Sequence, residues 1–307
     1  MSRIPVAVVG GGQAGLVAGY FLKQAGVPFV ILEADEALGR SWHDRWDSLE
    51  LFTPARYSGL PGMPFPGQPW RYPAKEEVVT FLRSYVEAFE LPVQFGQRVT
   101  ALRPAAGGSF EVETSTGTYL ADATIVATGG FQRPHVPPFA TGLAADVVQL
   151  HSSEYRNPSQ LADGTALVVG GGNSGLQIAD ELASGSAEPV HLSVGSKQTP
   201  MPRRFLGADL FWWLDHLGMM RVPQAKLPKW LAGDGDILVG QSIDKLVRAR
   251  GVATHPRTVG SDGQVVTFAD GTTLDAANLV WATGYRPDFS WVQAPVFQDG
   301  RPVQVRG

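Results

Sequence analysis

The apolar positions near the amino terminus form two short unbroken runs separated by a helical pattern. Residues 6–9 and 29–32 are apolar or small at every position, which is typical of strands buried on both faces of a sheet. Residues 16–25 predict a helix, and Gly26 is placed to end it. The pattern therefore predicts a strand–helix–strand unit at the start of the chain.

Further along, helical patterns alternate with short strand signals. A second buried run followed by a helix begins at residue 167, and a last buried run occupies residues 279–281. The sequence also predicts helices over residues 76–89, 208–217 and 243–249, and short strands within 93–126 and 252–280. This alternation is typical of an α/β protein.

Three glycines lie at the junction of the first strand and the first helix. Gly10, Gly12 and Gly15 have the G-x-G-x-x-G spacing, which permits a tight turn, close approach to a pyrophosphate and close helix–strand packing. Glu33 ends the second strand eighteen residues after Gly15, where a carboxylate can accept a hydrogen bond from a ribose 2′-hydroxyl. The combination predicts a dinucleotide site.

The same motif recurs 160 residues later, as Gly170, Gly172 and Gly175. Eighteen residues past Gly175, Ser193 stands where the first copy has its acid. Three basic residues follow it, namely Lys197, Arg203 and Arg204. Because no carboxylate there would repel a 2′-phosphate, the second copy is compatible with NADPH, whereas the first suits FAD or NAD. The three cations either contact that phosphate or form a solvated basic face, and the sequence favours neither.

Each glycine motif has a companion segment at the end of a later buried strand. The segments are Ala-Thr-Gly at residues 127–129 and Ala-Thr-Gly at residues 282–284. Small residues in such a place let the main chain pass close to a cofactor. Two motifs and two such strand ends predict two bound dinucleotides that exchange electrons.

Composition narrows the chemistry. The 307 residues include no cysteine, which excludes disulfides, thiolate metal sites and a cysteine nucleophile. The six histidines show no metal-ligand spacing, so no metal is indicated. With a net charge of −4, no run of eighteen apolar residues and no cleavable signal pattern, we expect neither a nucleic-acid nor a membrane partner, and a cytoplasmic location. The sequence leaves the oligomeric state open, a homodimer included.

The sequence leaves two interpretations open for each of two further features. Arg40 and Trp42 lie in an aromatic-rich stretch that is either a wall around a flat ring such as isoalloxazine or a satellite hydrophobic cluster. Asn173, at the start of the second motif helix, is either the candidate contact to the nicotinamide cofactor or a helix N-cap. The aromatic helix of residues 208–217 fits core or interdomain packing better than cofactor binding.

Taken together, these motifs resemble those of the flavin-containing monooxygenases, in the short bacterial branch that is similar to plant indole-pyruvate monooxygenases and Baeyer–Villiger enzymes. The resemblance runs from residue 4 to about residue 290. Besides the two glycine motifs and Glu33, the matching segments are Gly39-x-x-Trp42, Thr53-Pro54, Tyr72-Pro73, and the two Ala-Thr-Gly segments, the second continuing as Tyr285-Arg286-Pro287.

The resemblance implies an α/β fold of two three-layer, Rossmann-like dinucleotide-binding domains. The NAD(P)H-binding domain, residues 158–275, would be inserted into an FAD-binding domain of residues 1–157 and 276–307. The cofactors would be FAD on the first motif and NADPH or NADH on the second. The residues expected at FAD are Gly10, Gly12, Gln13, Ala14, Gly15, Glu33, Ala34, Arg40, Trp42, Val99, Thr128 and Gly129. Those expected at NAD(P) are Gly170, Gly172, Asn173, Ser174, Gly175, Ser193, Lys197, Arg203, Arg204, Thr283 and Gly284.

Without cysteine, electrons of the reduced flavin cannot pass to a dithiol, so we expect dioxygen to accept them. The implied cycle is hydride transfer from NAD(P)H to FAD, formation of a C4a-(hydro)peroxyflavin, and oxygen transfer to a sulfide, amine or ketone. The alternatives are an NAD(P)H oxidase or flavin reductase without productive oxygenation, and a non-catalytic dinucleotide-binding protein.

The chain departs from the family pattern in three places. Residues 151–155 match only the tail of the family's linker motif F-x-G-x-x-x-H-x-x-x-(Y/W). Gly195 stands where many NADPH-dependent relatives carry arginine, which leaves either nicotinamide cofactor open. The chain stops at Gly307, whereas the family continues with a strand–helix segment over the flavin, so we expect a truncated chain or a weakly held FAD.

Overall fold

The chain is described by a computed structural model over residues 2–185, 188–223 and 236–303. It divides into two compact units. The first comprises residues 1–43, 54–133 and 286–307, and the second comprises residues 44–53 and 134–285. Each unit is built on its own mainly parallel sheet.

Helices occur in both units. The α-helices are α1 (Gln13–Gln24), α2 (Arg40–His43), α3 (Lys75–Ala88), α4 (Asn173–Gly185), α5 (Leu210–His216) and α6 (Ile243–Arg250). Short 3₁₀ turns lie at Ala55–Tyr57, Ala106–Gly108, Pro138–Gly142, Pro158–Gln160 and Met219–Arg221.

The strands are short, as expected from the sequence. Up to residue 134 they are β1 (Ser2–Val9), β2 (Phe29–Leu32), β3 (Val93–Gln94), β4 (Val99–Pro104), β5 (Phe110–Thr114), β6 (Thr118–Val126) and β7 (Arg133–Pro134). They continue as β8 (Val148–His151), β9 (Ala166–Val169), β10 (Val190–Ser193), β11 (Gln198–Met201), β12 (Arg204–Phe205), β13 (Ala208–Asp209), β14 (Asp236–Val239) and β15 (Ala253–His255). The last are β16 (Thr258–Asp262), β17 (Val265–Phe268), β18 (Thr273–Asp275), β19 (Asn278–Trp281), β20 (Tyr285–Arg286), β21 (Phe297–Gln298) and β22 (Arg301–Pro302).

The sheet of the first unit has the strand order β3-β2-β1-β6-β5-β4. Strand β1 lies at its centre, parallel to β2 on one side and to β6 on the other, with Val9 opposite both Leu32 and Val126. Strands β4, β5 and β6 form an antiparallel meander that brings the chain back beside β1. Buried Ala7, Leu32 and other apolar side chains form the core on this sheet.

The sheet of the second unit has the order β15-β10-β9-β19-β8, and all of its pairs are parallel. Strand β9 takes the central place that β1 has in the first unit. A separate antiparallel sheet of β16, β17 and β18 precedes β19 in the chain, as β4 and β5 precede β6. The core here contains Leu167, Phe268 and the fully buried Trp281.

The two units are thus copies of one topology. Strands β1, β2, β3 and β6 correspond to β9, β10, β15 and β19, and α1 corresponds to α4. The repeated sequence motif therefore reflects a repeated strand–helix–strand unit, and the element predictions for both copies are confirmed.

The unit boundaries differ from the predicted residues 1–157, 276–307 and 158–275. Residues 134–157 and 276–285 lie in the second unit, together with 44–53. The reason is strand pairing, because β19 is hydrogen-bonded between β9 and β8 in the second sheet. The second Ala-Thr-Gly segment, residues 282–284, therefore belongs to the second unit.

A pair of histidines bridges two strands of the second sheet. His191 on β10 and His255 on β15 place Nδ1 and Nε2 2.8 Å apart, and Phe268 stacks on His255 with ring centroids 4.2 Å apart. Burial lowers the pKa of both rings, and the adjacent His255 lowers the pKa of His191 further. The folded protein therefore favours both rings in the neutral state, with one donating a hydrogen bond to the other.

We expect acid to destabilise the fold through this pair. Because the unfolded chain binds protons near its ordinary pKa of about 6.5, stability is full above that pH and falls as the pH drops towards the lowered folded values. Urea unfolding should give a lower free energy at about pH 5.5 than at about pH 7.5, and His255→Gln should reduce that difference. His43→Gln, on a side chain that is 66% exposed, is the matched control. An unaltered difference in the His255 variant would contradict the assignment.

Candidate functional site

The first glycine motif lies where three main-chain segments meet. Gly10 has φ +106°, and a Cβ there would lie 2.6 Å from the carbonyl oxygen of Ala127 at the end of β6. A Cβ on Gly15 would lie 1.9 Å from the Gly10 carbonyl oxygen. Only glycine fits these two positions, because any side chain would separate helix α1 from the strands it packs on.

The second motif has the same geometry. Gly170 has φ +129°, and a Cβ there would lie 2.3 Å from the Ala282 carbonyl oxygen at the end of β19. A Cβ on Gly175 would lie 1.9 Å from the Gly170 carbonyl oxygen. In both units the Ala-Thr-Gly segment therefore meets the glycine motif through a main-chain carbonyl, and in the second unit Ala282 Cβ also lies 3.3 Å from the place of a Cβ on Gly175.

Gly12 differs from the other motif glycines. No atom lies within 4 Å of the position a Cβ would take on it, and its φ of −76° is open to any residue. It is the N-cap of α1 without a side-chain cap, and Gln13 and Ala14 are exposed beside it. The amino end of α1 thus offers uncapped N–H groups next to an open space, which is the arrangement that binds a pyrophosphate.

Glu33 lies at the end of β2, beside the first glycine motif. Its Oε2 accepts a hydrogen bond from the Gly11 N–H at 2.7 Å, and its Oε1 accepts one from the Asp35 N–H at 3.0 Å. Ala34 follows it in the chain. The carboxylate is therefore held at the end of β2 beside the motif, where the sequence predicts the ribose contact.

Ser193 does not take the place of Glu33 in the second unit, which corrects the prediction. Ser193 pairs with Val169 as Leu32 pairs with Val9, so the residue that corresponds to Glu33 is Val194. The Ser193 side chain is 1% exposed and bonded within the core, donating to the Pro256 carbonyl and accepting from the Thr258 N–H. The segment between motif and strand end is one residue longer in the second copy than a fixed spacing assumes.

The Asn173 side chain does not cap its own helix, whereas its predicted contact to the nicotinamide cofactor stays a prediction. Asn173 is the first residue of α4, and its Nδ2 donates to the Ile237 carbonyl at 2.8 Å while its Oδ1 accepts from the Val239 N–H at 3.1 Å. The side chain braces strand β14 instead of capping its own helix. Ser174 follows it in the first turn of α4.

The remaining residues predicted at FAD are spread over three elements of the first unit. Arg40 and Trp42 lie on the short helix α2, where Arg40 forms an ion pair with Asp35 at 3.3 Å and Trp42 is half-buried. Val99 begins β4 and packs against the core cluster. Thr128 and Gly129 follow β6, and Gly129 has φ +67°.

Gln132 is a polar contact of this loop that the sequence motifs do not single out. Its Nε2 donates to Thr128 Oγ1 and to the Gly129 carbonyl, both at 2.8 Å. Its Oε1 accepts from the Asp288 N–H. The side chain therefore fixes the end of β6 beside the glycine motif, and an amide four residues after Thr128 is the only sequence signal for it.

The corresponding loop of the second unit is held by a histidine. Gly284 has φ +80°, and its carbonyl accepts from His151 Nε2 at 3.0 Å, while Thr283 Oγ1 donates to the His135 carbonyl. Burial lowers the pKa of His151. Because its Nδ1 accepts from the Ser153 N–H, the neutral ring carries its proton on Nε2. The partial linker match at residue 151 thus marks a positioning contact.

The three predicted cations of the second unit have separate surroundings. Arg203 forms an ion pair with Glu50 at 3.4 Å and packs on Gly240. Arg204 is exposed on β12, and Lys197 is exposed two residues after Gly195. Of the three, Arg203 is therefore already engaged by a carboxylate.

Within residues 2–185, 188–223 and 236–303, no helix is long and apolar enough to cross a bilayer. The same residues contain no group of three or more histidine, aspartate or glutamate side chains placed to hold a metal ion.

Comparison with known proteins identifies the family. The profile of the pyridine nucleotide-disulphide oxidoreductases matches residues 7–202. The chain belongs to this family. Among its relatives, an uncharacterized CzcO-like oxidoreductase of Geobacillus kaustophilus is 41% identical over 99% of this chain and 87% of its own length. The indole-3-pyruvate monooxygenase YUCCA1 of Oryza sativa subsp. japonica is 35% identical, covering 93% of this chain and 78% of its own.

A solved structure supports the same placement within the family. The flavin-containing monooxygenase of Stenotrophomonas maltophilia is 31% identical, with a TM-score of 0.80, and the match covers 100% of this chain and 86% of that one. The family member described here is thus a flavoprotein oxidoreductase of the monooxygenase type, and its cofactors are FAD and NAD(P)H. The resemblance read from the motifs is confirmed.

The first unit offers a cradle that fits the pyrophosphate of a flavin dinucleotide. We expect Gly12→Ala to fold as stably as the native chain, within about 1 kcal/mol, because its Cβ meets no protein atom. The methyl group would instead fill the space beside the helix terminus, and FAD affinity should fall at least about tenfold, or about 1.4 kcal/mol. Flavin titration of the apoprotein, monitored by fluorescence, measures this.

Gly117→Ala is the matched control, since it is a glycine with equally open surroundings away from the motif. Gly15→Ala should in contrast lose flavin binding, and its free energy of unfolding should fall by at least about 1–3 kcal/mol. The reason is that its Cβ meets the Gly10 carbonyl. Native FAD affinity in Gly12→Ala would show that the pyrophosphate does not lie there.

Proposed function

We propose that this chain uses NAD(P)H and dioxygen to oxygenate a small organic molecule that contains a sulfide, amine or ketone. Bound FAD would supply the redox chemistry, taking a hydride from the nicotinamide and activating dioxygen. The relatives of known type support the oxygenase assignment, and the observation that carries it is a doubled dinucleotide fold in a chain without cysteine.

In this proposal the protein binds and orients, and its side chains perform no covalent step. Gly10, Gly12 and Gly15 would bring the amino end of α1 to the FAD pyrophosphate, with Glu33 accepting from the adenosine ribose. Each Glu33 oxygen accepts one main-chain hydrogen bond and keeps a further lone pair for the ribose hydroxyl.

The second unit would bind NAD(P)H in the corresponding way. Gly170 and Gly175 would bring the amino end of α4 to its pyrophosphate, and Thr283 and Gly284 would pass beside the cofactor as the second Ala-Thr-Gly segment. His151 would hold Gly284 in place through its hydrogen bond to the carbonyl.

The test separates oxygenation from mere reduction of oxygen. The flavin-loaded protein should lose its yellow absorbance when NADPH or NADH is added without oxygen, and regain it in air. In the presence of a productive thioether, amine, ketone or indole-3-pyruvate, oxygenated product should account for most of the NAD(P)H consumed. The last compound is included because the rice relative is named for it.

Two outcomes would overturn the proposal. Hydrogen peroxide equal to the NAD(P)H consumed with every substrate class would identify an oxidase. A protein that stays colourless after FAD is added, or whose flavin NAD(P)H does not reduce, would identify a dinucleotide-binding protein without this turnover.

A further inference from the structure

The two units differ in charge at the sheet edge beside the glycine motif. Strand register sets the correspondence, because Gln94 pairs with Leu32 in the first unit as His255 pairs with Ser193 in the second. Two residues past each paired strand end, Gly96 in the first unit therefore corresponds to Arg257 in the second.

The same register makes Val194 the counterpart of Glu33. The first unit thus has a carboxylate at the edge of its motif and glycine at position 96, while the second has an apolar residue and a guanidinium. A Cβ on Gly11 would lie 2.7 Å from Glu33 Oε2, and a Cβ on Gly171 would lie 3.0 Å from Val194 Cγ1, which shows that the two edges correspond in space. The sign of the charge is reversed between the copies.

Arg257 reaches this edge from the short connection between β15 and β16, which is distant from Val194 in sequence. Its Nη2 donates to the Gly195 carbonyl at 2.5 Å. A Cβ on Gly195 would lie 3.2 Å from Arg257 Nε and 3.3 Å from its Cγ, so the absence of a side chain at residue 195 gives the arginine its place. Arg257 thus brings a guanidinium to the main chain at Gly195, beside Val194.

The guanidinium is available to a ligand. Arg257 is exposed, and among the residues that the structure describes it forms no ion pair with a carboxylate. Arg203, in contrast, is paired with Glu50. A planar guanidinium binds phosphate through two parallel hydrogen bonds, and an arginine near the end of the second strand of such a unit accommodates a 2′-phosphate.

We propose that Arg257 is the specificity-determining residue of the second unit, which binds the 2′-phosphate of NADPH and makes this chain prefer NADPH to NADH. The inference rests on the proposed function, in which this unit holds the nicotinamide cofactor. Val194 contributes by removing the carboxylate that would repel the phosphate, and Gly195 contributes by giving Arg257 room.

The test measures binding, apart from turnover. The probes are adenosine 2′,5′-bisphosphate and 5′-AMP, which differ in the 2′-phosphate, titrated calorimetrically into the flavin-loaded full chain. Arg257→Gln should weaken the bisphosphate about 10- to 100-fold and change 5′-AMP affinity less than about twofold. Arg257→Lys should restore part of the loss, because it returns the charge without the fork geometry.

Arg248→Gln is the matched control, since it removes an exposed arginine in the last turn of α6 in the same unit. Equal weakening of both probes by Arg257→Gln would mean that Arg257 only supports the loop at residue 195, and would overturn the proposal. So would an unaltered bisphosphate affinity, or a loss found in Lys197→Gln instead. If neither probe binds the native protein, the nucleotide site of the second unit itself fails, and with it this part of the proposed function.

Discussion

The contact on which the structure depends is the meeting of three backbones at each glycine motif. The first glycine touches the carbonyl at the end of a neighbouring strand, and the third glycine touches the carbonyl of the first. Side chains at these positions would cost more than ordinary overpacking, because main chain cannot move aside as a flexible side chain can. The contact fixes the helix against the sheet and leaves the helix amino terminus open at the sheet edge.

This constraint explains why the chain repeats some features and varies others. The glycines and the Ala-Thr-Gly segments recur because they are packed against each other in both units. The residue after the second strand is not part of that packing, so it is free to be Glu33 in one copy and Val194 in the other. The residue at the sheet edge can therefore diverge between the copies without changing the fold.

The sequence predicts the repeated elements well because their signals are local. Buried runs, glycine spacing and helix ends all act within a few residues, and the strands and helices follow them closely. The ranges of the two units and the hydrogen-bond partners of the Asn173 side chain could not be predicted in the same way. They depend on which strands pair, and Asn173 is bonded to β14, a strand more than sixty residues away.

The prediction that Ser193 corresponds to Glu33 was wrong for the same reason, since it too depends on strand pairing. Counting from Gly175 assumes an equal length of helix and turn in both copies, whereas register shows one added residue in the second. The place of Arg257 is harder still to predict from sequence, because no local motif marks this residue. Its position follows only from the pairing of β10 with β15.

The absence of cysteine bears on chemistry more than on fold. The family takes its name from enzymes that act on disulfides, yet this chain has no thiol of its own to accept electrons. Electrons that enter from a nicotinamide must then leave to a molecule that diffuses in, since the protein offers no covalent redox group of its own. Dioxygen is such a molecule, and the relatives of known type use it as monooxygenases. What the described residues contribute is geometric, because both units hold a helix amino terminus at a sheet edge through the same backbone contact.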